Sequence, residues 1–250
     1  ELPWDTFENA AAAGWRLAGI HMCGSESARA FFRMIDEARE VNGWTMQQVR
    51  DMRMTGEHCN LIGKAPDIIK GLKDYGMILS CGPGLVTETP AWVRDYGEQI
   101  QPFILPFKTW IEEGVKVVGQ DWGGSPPMGS LWQAVTRQDR DGVVWQPDER
   151  IDRVHALKMW TSWASEYVLK EDQLGSLEEG KFADLVVLDR DYFTVPVNDI
   201  LKVRTPMTMV GGKIIQLQES LANAFGVDQV GPVQEVVTDE EMTARYLGDN

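Results

Sequence analysis

Short apolar runs alternate with helix-periodic segments through the first half of this chain, and that alternation restricts the fold more than any other feature. Trp15 to His21, Met54 to Cys59, Met77 to Cys81 and Val115 to Asp121 each read as a strand. Between them, Ala28, Phe31, Phe32, Ile35 and Ala38 recur at three- and four-residue spacing behind Ser25, a candidate N-cap. Pro66 to Tyr75 carries Ile68, Ile69 and Leu72 ahead of Gly76, and Phe107 to Glu113 runs up to Gly114. An Ala-rich helix from Phe7 to Ala13, stopped by Gly14, precedes the first strand. Strands separated by helices must run parallel and be joined by right-handed crossovers. The class is therefore α/β, either a doubly wound sheet or a barrel.

Only about four such units fit before Asp121, at roughly 30 residues per unit of an eight-stranded barrel. The remainder reads differently. Ile151 to Leu169 predicts one long amphipathic helix, and residues 175–218 are strand-rich, with Asp184 to Leu188, Met207 to Val210 and Lys213 to Ile215. Gly211-Gly212 between the last two runs is a two-residue hairpin signal. The expected organisation is residues 1–170 as strand and helix units, 171–218 as a small β lobe and 219–250 as an acidic extension. That last segment holds seven acids and a single Arg245, the composition of a solvated or partner-packed tail.

Charge narrows the partners. The chain has 24 basic and 38 acidic side chains and a formal charge of −14, a field that repels phosphate backbones and anionic lipid head groups. No nucleic acid is expected. No apolar run approaches the ~20 residues of a membrane-spanning helix, so no membrane partner is expected either. Cys23, Cys59 and Cys81 are odd in number and lack CxxC spacing, which suits a reduced cytoplasmic compartment. The sequence starts Glu1-Leu2-Pro3 without a Met, from which we expect that something preceded it.

The chain contains three histidines. His21 and His58 close two predicted strands and Asp121 closes a third, the strand ends at which α/β barrels gather their active sites. His58 lies 37 positions after His21, one unit, and Asp121 lies 63 after His58, two units. Two imidazoles and a carboxylate brought together at one mouth suit Zn²⁺ or a similar divalent ion. Each residue also has an ordinary role: a hydrogen-bonded core histidine, or a helix N-cap for Asp121. His155 reads as a surface residue of its helix, because no second ligand stands four positions on. Cys59, beside His58 on a strand, would face away from it. Cys23, two positions from His21, would share its face and a thiolate there would be activated.

The arrangement resembles the metal-dependent amidohydrolase superfamily, in particular its amidohydrolase-3 family. The likeness runs from about Trp15 to Gln218. Trp15 to Ala28 resembles the family's strand-5 motif, Arg53 to His58 its Arg…Glu-His strand-6 motif, and Gly119 to Arg137 its strand-8 segment, with Asp121-Trp122 followed by Ala134-Val135-Thr136-Arg137. Gly175 to Asp189, with Met207 to Lys213, resembles the return into the family's β-sandwich lobe.

The resemblance implies an amidohydrolase that cleaves a non-peptide C–N bond, in an amide, formamide, carbamate or cyclic amide. His21 and His58 would hold a divalent metal, most simply zinc as one or two ions. Asp121 would ligate and act as general base, and His58 would belong to the catalytic set. Trp122 and Cys23 would border the substrate, while Arg53 would serve either a substrate carboxylate or a structural ion pair. The family's His-x-His pair and fourth-strand ligand are absent here, and His21-Met22-Cys23-Gly24-Ser25 stands where the family has His-x-x-Gly-Asp. The implied fold is therefore the C-terminal half of a TIM-like (β/α)8 barrel plus a β-sandwich lobe. It would be completed by a second chain carrying the N-terminal half, separate or cleaved, in a higher oligomer that takes a small amide-like substrate. A non-catalytic subunit of the same fold is the alternative, and a metal-independent Cys23 hydrolase a third.

Overall fold

A computed structural model describes residues 4–119, 126–231, 238–241 and 244. The first unit opens with α1 (Trp4–Ala12), β1 (Ile20–His21), α2 (Ser25–Asn42), α3 (Met46–Met52) and β2 (Thr55–Glu57). There follow α4 (Pro66–Asp74), β3 (Ile78–Ser80), α5 (Thr89–Tyr96), α6 (Phe107–Glu112), β4 (Lys116–Val118) and α7 (Pro127–Thr136). Helices α8 (Arg153–Lys158) and α9 (Ser162–Tyr167) lead to β5 (Leu185–Val187), β6 (Met207–Val210), β7 (Lys213–Leu217) and α10 (Glu219–Phe225). No helix among the described residues is long and apolar enough to cross a membrane.

Strands β1 to β4 form one parallel sheet in chain order. Among the described residues the strand order follows the chain, without the reversal that marks the switch point of a doubly wound sheet. The register sorts side chains between two faces. Ile20, Gly56, Leu79 and Val117 pair in one row, and Leu79 and Val117 lie in the apolar core with Phe31 and Ile35 of α2, Ile68 and Leu72 of α4, and Phe107 and Trp110 of α6. His21, Glu57, Ser80 and Val118 pair in the next row and therefore occupy the opposite face. The sequence pattern thus placed the helix-facing core correctly.

Several local expectations need correction. The strands are shorter than the apolar runs, the first reduced to Ile20–His21. Gly24, not Ser25, is the N-cap of α2, and the Ser25 hydroxyl instead donates to Ile62 O at 2.9 Å, tying the helix to the loop after β2. Helix α3 was not anticipated, although Thr45 and Gln48 form a reciprocal capping box at its start. The expected long helix over 151–169 is two short ones. Met159 O accepts from Gly119 N at the end of β4, 3.0 Å away, and Thr161 breaks the helix with φ −127° and ψ −98°. A tertiary bond thereby removes an acceptor that helix continuation needs.

In the lobe, β5, β6 and β7 form an antiparallel sheet, and Gly211 and Gly212 turn the hairpin with φ of 57° and 77°. Among the described residues this is one three-stranded layer rather than a sandwich. Beyond β7, Val230 bridges Leu217, and Asp239 lies 3.1 Å from both Arg190 and Arg204.

Glu149 joins three segments around the sheet. Its buried carboxylate accepts from Lys64 Nζ (2.5 Å), Thr109 N (3.0 Å) and Thr109 Oγ1 (2.7 Å), the last two in the first turn of α6. Burial pushes its pKa up, but the lysine and threonine bonds prevail and hold it below the ordinary carboxylate value. A lowered folded pKa contributes stability above the unfolded value, about 4.3, and loses it as pH falls through the folded value. Glu149→Gln should therefore destabilise by about 1.5–3 kcal/mol at pH 7. Thermal unfolding at pH 7 and pH 3 checks this: the gap between variant and parent should shrink at the lower pH, and a constant gap contradicts it.

Candidate metal centre

His21 is the last residue of β1 and His58 follows the last residue of β2, so the parallel register brings both to one end of the sheet. Their ring centroids are 4.2 Å apart, at an interplanar angle of 63°. The pairing of these two histidines is as the spacing predicted.

The backbone there is unusual. His58, Cys59 and Leu61 have φ of 60°, 52° and 64°, a region non-glycine residues avoid at a cost of roughly 1–3 kcal/mol each. Cys59 N donates to Glu57 O at 2.7 Å, closing a three-residue turn with His58 at its centre. Its surroundings impose the turn. Cys59 and Ile62 are fully buried, and Asn60 O accepts from Gly24 N at 3.1 Å. Behind it, Met22 lies so close over Gly56 that a Cβ at that position would collide with its side chain. Strain that the surrounding structure overrides in this way clusters at functional sites.

Cys23 is exposed at the same mouth, its Sγ 3.2 Å from Asn60 Oδ1. Because β1 ends at His21, strand alternation does not extend to Cys23 and the face argument fails for it. Cys59 is buried away from His58 because the turn, not a strand, separates them. Asp121 and Trp122 lie outside the described residues; β4, which leads to them, ends at Val118. His155 accompanies the N-cap of α8: its Nδ1 is 2.7 Å from Asp152 Oδ2, the surface role expected of it.

Arg53 occupies the opposite end of β2, about five residues or ~16 Å along the chain from His58. It forms an ion pair with Glu171 and donates to Glu166 O at 3.2 Å. Arg16 Nη2 donates to Tyr167 O at 2.7 Å. Two arginines thus cap the last carbonyls of α9, where cations are favoured. These contacts give Arg53 the geometry of a structural ion pair and helix cap.

Two residues were overlooked in the sequence. Glu57 shares a face with His21 through register and precedes His58, and Tyr167 donates its hydroxyl to Glu57 Oε1. The Glu-His pair was visible as a motif; nothing local points to Tyr167. Burial, aided by Glu57, pushes the Tyr167 phenol up to about 12, so it stays a donor at neutral pH.

Two converging imidazoles are borderline donors that fit half of a divalent-metal ligand set. Among the described residues no group of three His, Cys, Asp or Glu side chains forms a metal site.

The chain belongs to the amidohydrolase family, whose profile matches residues 5–216. It is 29% identical over 148 residues to the N-substituted formamide deformylase of Arthrobacter pascens, covering 56% of this chain and 27% of that protein. It resembles the crystal structure of a metal-dependent hydrolase of Pyrococcus furiosus with a TM-score of 0.59 and 25% identity, over 76% of this chain and 36% of the other. It also shares the fold of a zinc-bound adenosine deaminase of Xanthomonas campestris, with a TM-score of 0.58 and 13% identity, over 85% and 49% of the two chains. The matched region spans about a quarter to a half of these proteins' length.

Proposed function

We propose that this chain supplies the C-terminal half of a metal-dependent hydrolase barrel that cleaves a non-peptide C–N bond. The convergence of His21 and His58 on a strained, buttressed turn at the sheet mouth carries this reading. The two imidazoles hold a divalent ion, zinc being the simplest match to nitrogen and carboxylate donors. When bound, the ion supplies an activated water and polarisation of the scissile carbonyl. Asp121, three positions past the end of β4 in sequence, would add a carboxylate donor and act as general base, passing its proton to the leaving nitrogen. On the same reading Trp122 would wall the substrate pocket and Cys23 would border it.

The remaining barrel strands and ligands come from the other half, whether in a longer chain or a separate one. In the described sheet β1 and β4 are edge strands, and barrel closure is what removes such edges. The similarity to a formamide deformylase supports testing N-substituted formamides first, with carbamates and cyclic amides beside them.

The test is hydrolysis of that panel by the native full-length protein. A phenanthroline chelator should abolish turnover, added zinc or manganese should restore it, and iodoacetamide should have little effect. Activity that survives chelation but is lost on alkylation would replace this mechanism with a Cys23 nucleophile.

A further inference from the structure

Glu57 links the two histidines through a single atom. Its main-chain oxygen accepts from Met22 N at 3.0 Å and from Cys59 N at 2.7 Å, the residues that follow His21 and His58 respectively. Where that carbonyl points therefore sets the backbone of both imidazole-bearing residues. The side chain of the same residue is tethered from below by the Tyr167 hydroxyl.

Tyr167 is itself well held. Its carbonyl accepts from Arg16, whose guanidinium lies 6.0 Å from the centre of the tyrosine ring. Its hydroxyl also stands 3.5 Å from Thr55 Oγ1, which accepts from Gly19 N at 2.9 Å. Thr55 and Gly19 precede Glu57 and His21 by two positions, so the phenol meets two side chains of β2, and Thr55 in turn holds the backbone just before β1. On the same helix Glu166 pairs with Lys116 of β4, which fixes α9 against this face of the sheet.

We propose that Tyr167 is a positioning residue for the two-histidine metal cradle, acting through Glu57. By fixing the Glu57 side chain it keeps the shared carbonyl in place, holds the turn that strains His58, and so sets the separation of the two rings. This rests on the metal-binding reading above. Partners that orient ligands in this indirect way typically alter metal affinity by about 10–100-fold when removed.

Cobalt(II) titration of the metal-stripped, full-length protein, followed by visible absorption, tests the assignment. Tyr167→Phe and Glu57→Leu should each weaken cobalt binding at least about tenfold and shift the cobalt bands. Glu57→Gln, which keeps an acceptor for the phenol, should recover both. The double variant should be no weaker than either single one, because the two residues act as a unit. Parental affinity and spectrum in Tyr167→Phe, with only a lower Tm, would reduce the contact to packing and overturn the proposal. Glu57→Gln as weak as Glu57→Leu would also overturn it, making the carboxylate charge the acting group. A parent protein that takes up no cobalt would instead overturn the metal reading itself.

Discussion

Replacing Arg137 with methionine should cost about 3–5 kcal/mol of stability, read as a shift of the urea midpoint at pH 7. Arg137 is fully buried. It donates to Leu105 O (3.0 Å), Ile104 O (3.2 Å) and Trp145 O (3.3 Å), bonds Gln146 Oε1, and lies 5.7 Å from the Phe107 ring centre. Burial lowers its pKa to about 10, against the opposing field of Glu149, so it remains a cation at neutral pH. Methionine fills comparable space but leaves three carbonyls without their donor, each costing about 1–3 kcal/mol less whatever water restores. Lysine should recover less than half of the loss, because one ammonium cannot span acceptors that the planar fork reaches together. A change under about 1 kcal/mol in Arg137→Met would show that these carbonyls find other partners. Arg137 also caps α7, the helix that follows Asp121, so activity should fall along with stability.

His58→Gly should separate function from stability. In its proposed role as a metal ligand, His58 should contribute several kcal/mol of transition-state stabilisation, so its loss should lower kcat/KM at least about a thousandfold at 1.36 kcal/mol per tenfold. Yet glycine accepts a φ of +60° freely, so relief of strain offsets its greater unfolded-state entropy. The variant should unfold no earlier than the parent, and up to about 1 kcal/mol later. A histidine serving only as a satisfied core residue would give the reverse, lost stability with activity retained. Stability sacrificed at one residue for function is the signature expected of a catalytic turn.

These two residues also mark where sequence reasoning stops. The four parallel strands, their helices and the Gly211-Gly212 hairpin were legible because each is encoded locally, by apolar spacing and by a glycine that ends or turns the chain. The meeting of His21 and His58 was legible because one strand and helix unit has a characteristic length. The break at Thr161 was not, since it depends on Gly119 N taking Met159 O from a distant part of the chain. Nor was the backbone of His58, which is imposed by the burial of Cys59 and Ile62 on either side of the exposed-looking Asn60-Leu61 pair. Arg137 read only as the end of a motif, and Arg53 as a substrate contact or an ion pair. Their contacts, with buried carbonyls in one case and with the end of α9 in the other, are tertiary and leave no local pattern. Tyr167 is the same case: its importance comes from lying under Glu57, 110 positions away.

The function proposed for this chain depends most directly on whether His21 and His58 hold a metal. Elemental analysis of the native full-length protein, purified without added metal, should find at least one zinc, manganese or iron per chain, and His58→Ala should lose it while remaining folded. A folded, native protein with no bound divalent metal, or a His58→Ala variant that retains the full complement, would contradict it.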